Sequence, residues 1–148
     1  MGKRVLVRHH LNYLKDDHPL DFEDIDTNFI ELYLDLENAE NIKKIVGTNK
    51  PKFRQILYHI LHNINNDSLY RKEGEDVYSM RFMGYLNSRV YCKEINDSPK
   101  RIIMCIGYEN KTSVKNDKRL KSLISAIEKY KEFIYFQTYQ EYENWKRK

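Results

Sequence analysis

The chain has 148 residues, of which 41% are hydrophobic and 32% charged, and its formal net charge is +4. This length and balance predict one globular domain with a modest core and exclude a disordered chain. No apolar run approaches the roughly 20 residues that a membrane-spanning helix needs, and the first residues lack a secretion signal, which together predict a cytoplasmic protein. Two cysteines are too few for a disulfide framework.

Charge is unevenly distributed along the chain. Residues 1–49 contain six Lys and Arg against ten Asp and Glu, a net charge of −4, whereas residues 50–148 contain twenty against twelve, a net charge of +8. A basic surface of this kind is typical of proteins that bind nucleic acid. Small proteins without such a partner also show asymmetry of this size, so charge alone leaves both interpretations open.

The first elements in chain order are a strand and a helix. KRVLVRHH, residues 3–10, places β-branched valines between basic residues and predicts a short strand. Between Asp21 and Ala39 the apolar residues recur at steps of three and four, which predicts an amphipathic helix. Gly47 is a plausible end of this helical region.

A second helix and three strands are predicted next. Pro51 suits a first helical turn, and an apolar stripe follows over residues 53–64. Three alternating segments at about residues 76–83, 88–95 and 100–108 are separated by short runs of turn-forming residues. They predict an antiparallel meander whose last strand, RIIMCIGY, is buried on both faces.

A third helix is predicted after Asn116 or Asp117, with an apolar stripe that reaches Ile134. The aromatic tail either continues this helix or packs back on the sheet. The predicted order is therefore β-α-α-β-β-β-α, in a single domain over residues 1–148. This order predicts an α+β fold in which helices pack against a small, mainly antiparallel sheet.

One stretch returns basic and aromatic side chains to the same side of a strand: LYRKEGEDVYSMRFMGYLNSRVYCKEI, residues 69–95. Arg89, Tyr91 and Lys93 share a face by alternation, and Arg81 joins them if the neighbouring strand is in register. Arginine can bind two phosphate oxygens at once, and tyrosine can stack on unpaired bases. The alternative is that these arginines pair with nearby glutamates and that the tyrosines are packing residues.

Other residues extend this candidate phosphate-binding surface. Tyr108 and Lys111, where the next strand ends, could close it, and Arg71 and Lys72 precede the strands and could contact an RNA backbone. No histidine is predicted on this face. Any proton transfer would therefore use Tyr108, Glu109 or a lysine.

The sequence predicts neither a metal site nor a cofactor. His59 and His62 are one helical turn apart, but no third ligand is near them in the sequence. No glycine-rich phosphate loop or nucleophile elbow is present.

The same segments resemble the RelE/HigB toxins of bacterial toxin–antitoxin pairs, within the RelE/ParE superfamily, and in particular their phage-related HigB-like branch. LYRKEGEDVYSMRF is similar to the segment that enters the family's second strand and ends on an arginine, here Arg81. SRVYCKEI is similar to the third strand, with its arginine at Arg89. IIMCIGYENKTSVKNDKRLKSLISAIEKY is similar to the fourth strand, its lysine-rich exit loop and the following helix. The similarity covers about residues 50–133 and leaves 134–148 as an extension.

This resemblance implies a RelE-like fold and a cytoplasmic, metal-independent endoribonuclease that cleaves mRNA at the ribosome and is neutralised by an antitoxin protein. In such enzymes the 2′-OH attacks the adjacent phosphate and releases a 5′-OH. The family often has two adjacent lysines after the fourth strand, whereas here Asn110 precedes Lys111, which leaves activity open. The candidate catalytic residues are Arg81, Arg89, Tyr108 and Lys111, and the candidate RNA-binding residues are Arg71, Lys72, Tyr91 and Lys93.

Two alternatives keep the fold but change the function. A ParE-like member would inhibit DNA gyrase through protein contacts. A non-catalytic protein-interaction module would use the acidic first helix and the aromatic tail as its binding surfaces.

Overall fold

A computed structural model of the protein describes residues 3–16, 29–82, 87–97, 100–110 and 117–148. Within these residues the chain forms four α-helices and a mixed sheet of seven strands. The predicted α+β class is therefore confirmed. The sheet is larger than predicted, and two of its pairings are parallel rather than antiparallel.

The elements are named in chain order. The strands are β1 Arg4–Arg8, β2 Ile30–Asp35, β3 Tyr70–Lys72, β4 Val77–Phe82, β5 Ser88–Asp97, β6 Lys100–Asn110 and β7 Phe133–Phe136. The helices are α1 Ala39–Thr48, α2 Lys50–Leu61, α3 Asp117–Lys129 and α4 Tyr139–Lys146. The strands lie in the order β3-β4-β5-β6-β2-β1-β7, with β6 parallel to β2 and β1 parallel to β7.

The prediction of a first helix is wrong for the part that the structure describes. Residues 30–35 form β2, which lies between β6 and β1, and α1 begins only at Ala39. Leu32 and Leu34 are buried on one face of this strand and Tyr33 on the other. A short, nearly continuous apolar run fits a strand buried on both faces as well as a helix, and periodicity cannot separate the two. Residues 17–28 of the predicted helix lie outside the described residues.

The second helix is confirmed as α2, with Pro51 in its first turn and Phe53 fully buried. Gly47, in contrast, does not end a helix, because it lies within α1. The predicted third helix is confirmed as α3, but it ends at Lys129, and Ile134 belongs to β7. The tail therefore packs back on the sheet rather than continuing the helix.

The antiparallel meander of three strands is confirmed by the pairings of β4 with β5 and of β5 with β6. The predicted element order is not confirmed, because the sequence interpretation missed β2, β3 and β7 and did not separate α4. β3 and β7 are short, at three and four residues, and lie at the two edges of the sheet. Such short segments give little periodic signal.

Helices cover both faces of the sheet. α1 and α2 pack on one face, and the buried side chains there include Leu32, Phe53, Ile56, Met80, Cys92 and Ile103. α3 packs on the other face, which we call the α3 face, and the buried side chains there include Leu6, Tyr33, Tyr91, Met104 and Ile127. The central strand β6 is therefore buried on both sides, as its apolar sequence predicts.

Gly47→Ala should raise the free energy of unfolding by up to about 0.5–1 kcal/mol, the cost of glycine relative to alanine in a helix interior, because Gly47 is helical but lies in the last turn of α1. Nothing lies within 4 Å of the position that an added Cβ would occupy, and no described glycine has a positive φ. Denaturant unfolding followed by circular dichroism measures the change. Loss of stability would contradict the helical placement of Gly47.

Gly107→Val is the contrasting variant. A Cβ at Gly107 would already lie 3.4 Å from methyl groups of Leu123 and Ile127. The two further methyl groups of valine should crowd α3 and lower the free energy of unfolding by about 1–3 kcal/mol.

Candidate functional site

Three arginines lie on the α3 face of neighbouring strands. Arg81 and Arg89 are directly opposed across the β4–β5 pairing. Arg71 lies opposite Ser79, which shares a face of β4 with Arg81 by strand alternation. We call Arg71, Arg81 and Arg89 the arginine cluster. The structure thus brings together the two strand arginines that the sequence placed on a common surface if the strands were in register.

The arginine cluster is electrostatically unfavourable in isolation. Directly opposed like charges on paired strands repel one another. Burial, followed by the neighbouring charges of Arg89 and Arg71, lowers the pKa of the Arg81 guanidinium from its ordinary value. An anion bound between these side chains would remove the repulsion.

Two donor atoms of the cluster are also unsatisfied. The Nη1 atom of Arg81 donates to the backbone oxygen of Asp67 at 3.2 Å. In the described part of the chain, however, the Nε atoms of Arg81 and Arg89 are buried without a hydrogen-bond partner. Arg89 is only 9% exposed. A buried donor left unpaired costs about 1–3 kcal/mol, and such groups call for a ligand or another explanation.

A carboxylate lies beside the cluster. Glu109, on β6, is directly opposed to Arg89 in the β5–β6 pairing. Its Oε2 atom accepts a hydrogen bond of 3.3 Å from the hydroxyl of Tyr91. Glu109 was one of three sequence candidates for moving a proton, and its strand position places it on the same face as the arginines. Glu73 is a second carboxylate at the cluster, since it forms an ion pair with Arg71 and accepts a hydrogen bond from the hydroxyl of Ser79. The site therefore combines fixed positive charge with two adjacent carboxylates.

Tyr91 is buried in the core and is not exposed to bind RNA. Its side chain is fully buried on the α3 face, so its ring is not available to stack on a base. Burial, and then the nearby Glu109 carboxylate, raises the pKa of the Tyr91 hydroxyl. Tyr91 remains protonated at neutral pH and serves as a hydrogen-bond donor to Glu109.

Lys93 also differs from its predicted role as an RNA contact. It is 3% exposed, and its Nζ atom donates to the backbone oxygens of Glu128 at 3.2 Å and Tyr130 at 2.7 Å. The same atom lies 3.2 Å from a carboxylate oxygen of Asp76. A lysine in this position satisfies the terminal carbonyls of a helix. Lys93 therefore fastens the end of α3 to the sheet.

Tyr108 does not close the arginine surface. It pairs with Val90 in the β5–β6 ladder and packs against the core on the opposite face, under α1 and α2. By strand alternation, the side chain of the next residue, Glu109, lies on the α3 face. Arg71 and Lys72 lie on β3 with exposed side chains, and Arg71 forms an ion pair of 3.4 Å with Glu73. Lys111 lies outside the described residues.

No protein-family model, curated protein or solved structure matches the chain. The resemblance to the RelE/HigB toxins therefore stays a prediction. None of the described helices is long and apolar enough to span a membrane. Among the described residues, no group of three or more His, Cys, Asp and Glu side chains is placed to bind a metal ion.

Lys93→Met should lower the free energy of unfolding by about 1–3 kcal/mol, because buried carbonyl groups at the end of α3 lose their donor. Lys72→Met removes an exposed lysine from nearby β3 and should change the free energy by less than about 0.5 kcal/mol. Denaturant titration of both variants measures the difference. Equal, small effects would contradict the buried role of Lys93.

Proposed function

We propose that this protein is an RNA-cleaving toxin of the RelE/HigB type, with a RelE-like fold, that acts without metal on mRNA at the ribosome. The observation that supports the proposal most is the direct opposition of Arg81 and Arg89, each with a buried and unpaired Nε–H in the described structure. A phosphodiester would satisfy these donors and offset the repulsion between the two guanidinium groups.

The proposed role of the arginines is to bind the phosphate that reacts. Each guanidinium can donate two parallel hydrogen bonds to phosphate oxygens, and its charge does not depend on pH in the working range. Negative charge builds up on these oxygens when the 2′-OH attacks phosphorus. Donors already fixed on a rigid sheet stabilise this charge without reorganising.

Glu109 is the proposed base. The 2′-oxygen forms a bond to phosphorus and loses its proton to the Glu109 carboxylate, while the bond from phosphorus to the 5′-oxygen breaks. The hydrogen bond from Tyr91 orients this carboxylate beside Arg89. The departing 5′-oxygen takes up a proton and leaves as a 5′-OH, with Lys111 as the candidate donor from the sequence. The products are a 2′,3′-cyclic phosphate and a 5′-OH end.

A second candidate function, a protein-interaction module, is supported by the C-terminal helix. α4 has no buried residue, and Tyr139 and Trp145 are 55% and 48% exposed. Exposed aromatic side chains are frequent at protein interfaces. In the toxin proposal, this surface is a candidate contact for an antitoxin protein.

Arg81→Ala and Arg89→Ala should each reduce cleavage of ribosome-bound mRNA about 10²–10³-fold, because each removes a donor to the phosphate. The assay is run in the presence of EDTA, and 5′-OH ends are mapped on the products. Arg89→Lys should restore only part of the rate, since lysine keeps the charge but loses the planar pair of donors. Arg147→Ala, which removes an exposed arginine from the C-terminus, is the matched control and should not change the rate.

The proposal would be rejected if folded wild-type protein neither cleaved ribosome-bound mRNA nor arrested bacterial growth on induction. Full activity in Arg81→Ala and Arg89→Ala would instead place the reaction elsewhere in the molecule.

Glu109→Gln should lower the cleavage rate about 10²–10⁴-fold with little change in affinity for RNA, because the amide keeps the shape but cannot accept the proton. Rate and affinity are measured separately with cleavable and 2′-deoxy substrates. An equal loss of both would mean that Glu109 only positions Arg89.

A further inference from the structure

The outer face of α3 is basic and exposed. The helix buries Ile127 and partly buries Leu120, Leu123 and Ile124 against the sheet. The opposite side of the helix presents a set of exposed cationic side chains: Lys118, Arg119, Lys121 and Lys129.

A shallow, open depression of about 610 Å³, which we call the hollow, lies along this helix and the residue that follows it. Its walls combine two cations, two hydroxyl groups and one aromatic ring, from Lys121, Ser122, Ser125, Ala126, Lys129 and Tyr130. Lysine ammonium groups and serine hydroxyls are common donors to the phosphates of nucleic acids, and they read no base sequence. Lys121 and Lys129 are about 12 Å apart along the helix axis, at 1.5 Å per residue.

The lysines of the hollow are not neutralised by acidic neighbours in the described part of the chain. Neither Lys121 nor Lys129 forms an ion pair there. The carboxylate of Glu128 is turned away from the hollow, since its Oε2 atom accepts a hydrogen bond of 2.9 Å from the backbone of Glu75. The positive charges of Lys121 and Lys129 are therefore available to an anion.

The direction of α3 relates this surface to the arginine cluster. The backbone oxygen of Glu128, at the end of the helix, binds Lys93, whereas Leu123 and Ile127 lie over Gly107. Gly107 pairs with Tyr91. Along β5, Tyr91 is two residues closer to Arg89 than Lys93 is. The C-terminal end of α3 thus lies near Lys93, and its N-terminal end points towards the end of the strands at which Arg89 and Glu109 lie. Both basic surfaces are on the same side of the sheet.

We propose that the outer face of α3 is a second binding surface for the backbone of single-stranded RNA, over which the strand held at the arginine cluster continues. This inference rests on the proposed function, because it assumes that RNA occupies the cluster. The cluster binds the reacting phosphate, and Lys121 and Lys129 bind phosphates further along the same strand. A longer RNA therefore binds more tightly than a dinucleotide, independently of its sequence.

The test compares two substrates that cannot be cleaved, both with 2′-deoxy sugars at the reacting position. One is a dinucleotide, which can occupy only the cluster, and the other is a single strand of about twelve nucleotides. The variant Lys121→Glu/Lys129→Glu reverses the charge of the hollow. Lys43→Glu/Lys44→Glu, on the exposed side of α1, makes the same charge change on the other face of the sheet and is the matched control.

We expect the α3 variant to bind the long strand about tenfold more weakly and to leave dinucleotide binding unchanged. Loss of two phosphate contacts should also make the salt dependence shallower by about 1.4 in the slope of log K against log salt concentration. The control variant should behave like the wild type. Lys121→Ala/Lys129→Ala provides a second variant if the charge reversal prevents folding, as judged by circular dichroism.

Three results would overturn the inference, and they are distinguishable. If both substrates bind the wild type and the α3 variant equally, the α3 surface does not bind RNA, while the cluster is still tested by Arg81→Ala/Arg89→Ala. The same conclusion follows if the control weakens binding as much as the α3 variant. If the wild type binds neither substrate, the proposed function fails together with the inference.

Discussion

The arrangement of the whole α3 face depends on one buried ammonium group. Lys93 donates from β5 to the carbonyls of Glu128, in the last turn of α3, and of Tyr130, just after the helix, and it forms an ion pair with Asp76, just before β4. Since these contacts fix the end of α3 against β4 and β5, they also fix which side chains the helix covers. Tyr91 lies beneath the helix, whereas the arginine cluster remains beside it. The same contacts turn the lysines of α3 outwards.

The site combines groups that oppose stability with a sheet able to tolerate them. Opposed arginines and unpaired buried donors are each unfavourable by themselves. They lie on β4 and β5, which pair in an antiparallel register without a shift, and the two strands contribute buried side chains to both faces of the sheet. The antiparallel pairing of β4 with β5 holds Arg81 and Arg89 directly opposite each other on a rigid support. Proteins frequently contain unfavourable local interactions at functional sites, and favourable interactions elsewhere in the fold offset their cost in stability.

Some of the positive charge of the second part of the chain lies in two basic surfaces on one side of the sheet. Within the arginine cluster Arg89 is buried and Arg71 is exposed, whereas Lys121 and Lys129 of α3 are both exposed. A buried arginine suits one phosphate in a defined geometry, and exposed lysines suit a mobile backbone without sequence preference. Of the first part of the chain, the described strands β1 and β2 lie on the far side of β6 from β4 and β5.

The sequence by itself determined the meander of β4, β5 and β6 and the helices α2 and α3, because periodicity and turn residues act locally. It placed Arg81 beside Arg89 only if the two strands were in register, and the structure supplied that register. It did not determine β2, since the run around Leu32 suits a helix or a strand until its position between β6 and β1 is known. Nor did it determine exposure. Tyr91 and Lys93 share a face with Arg89, yet only the docking of α3 buries the first and binds the second. Burial depends on contacts between distant segments, and a local pattern does not contain them.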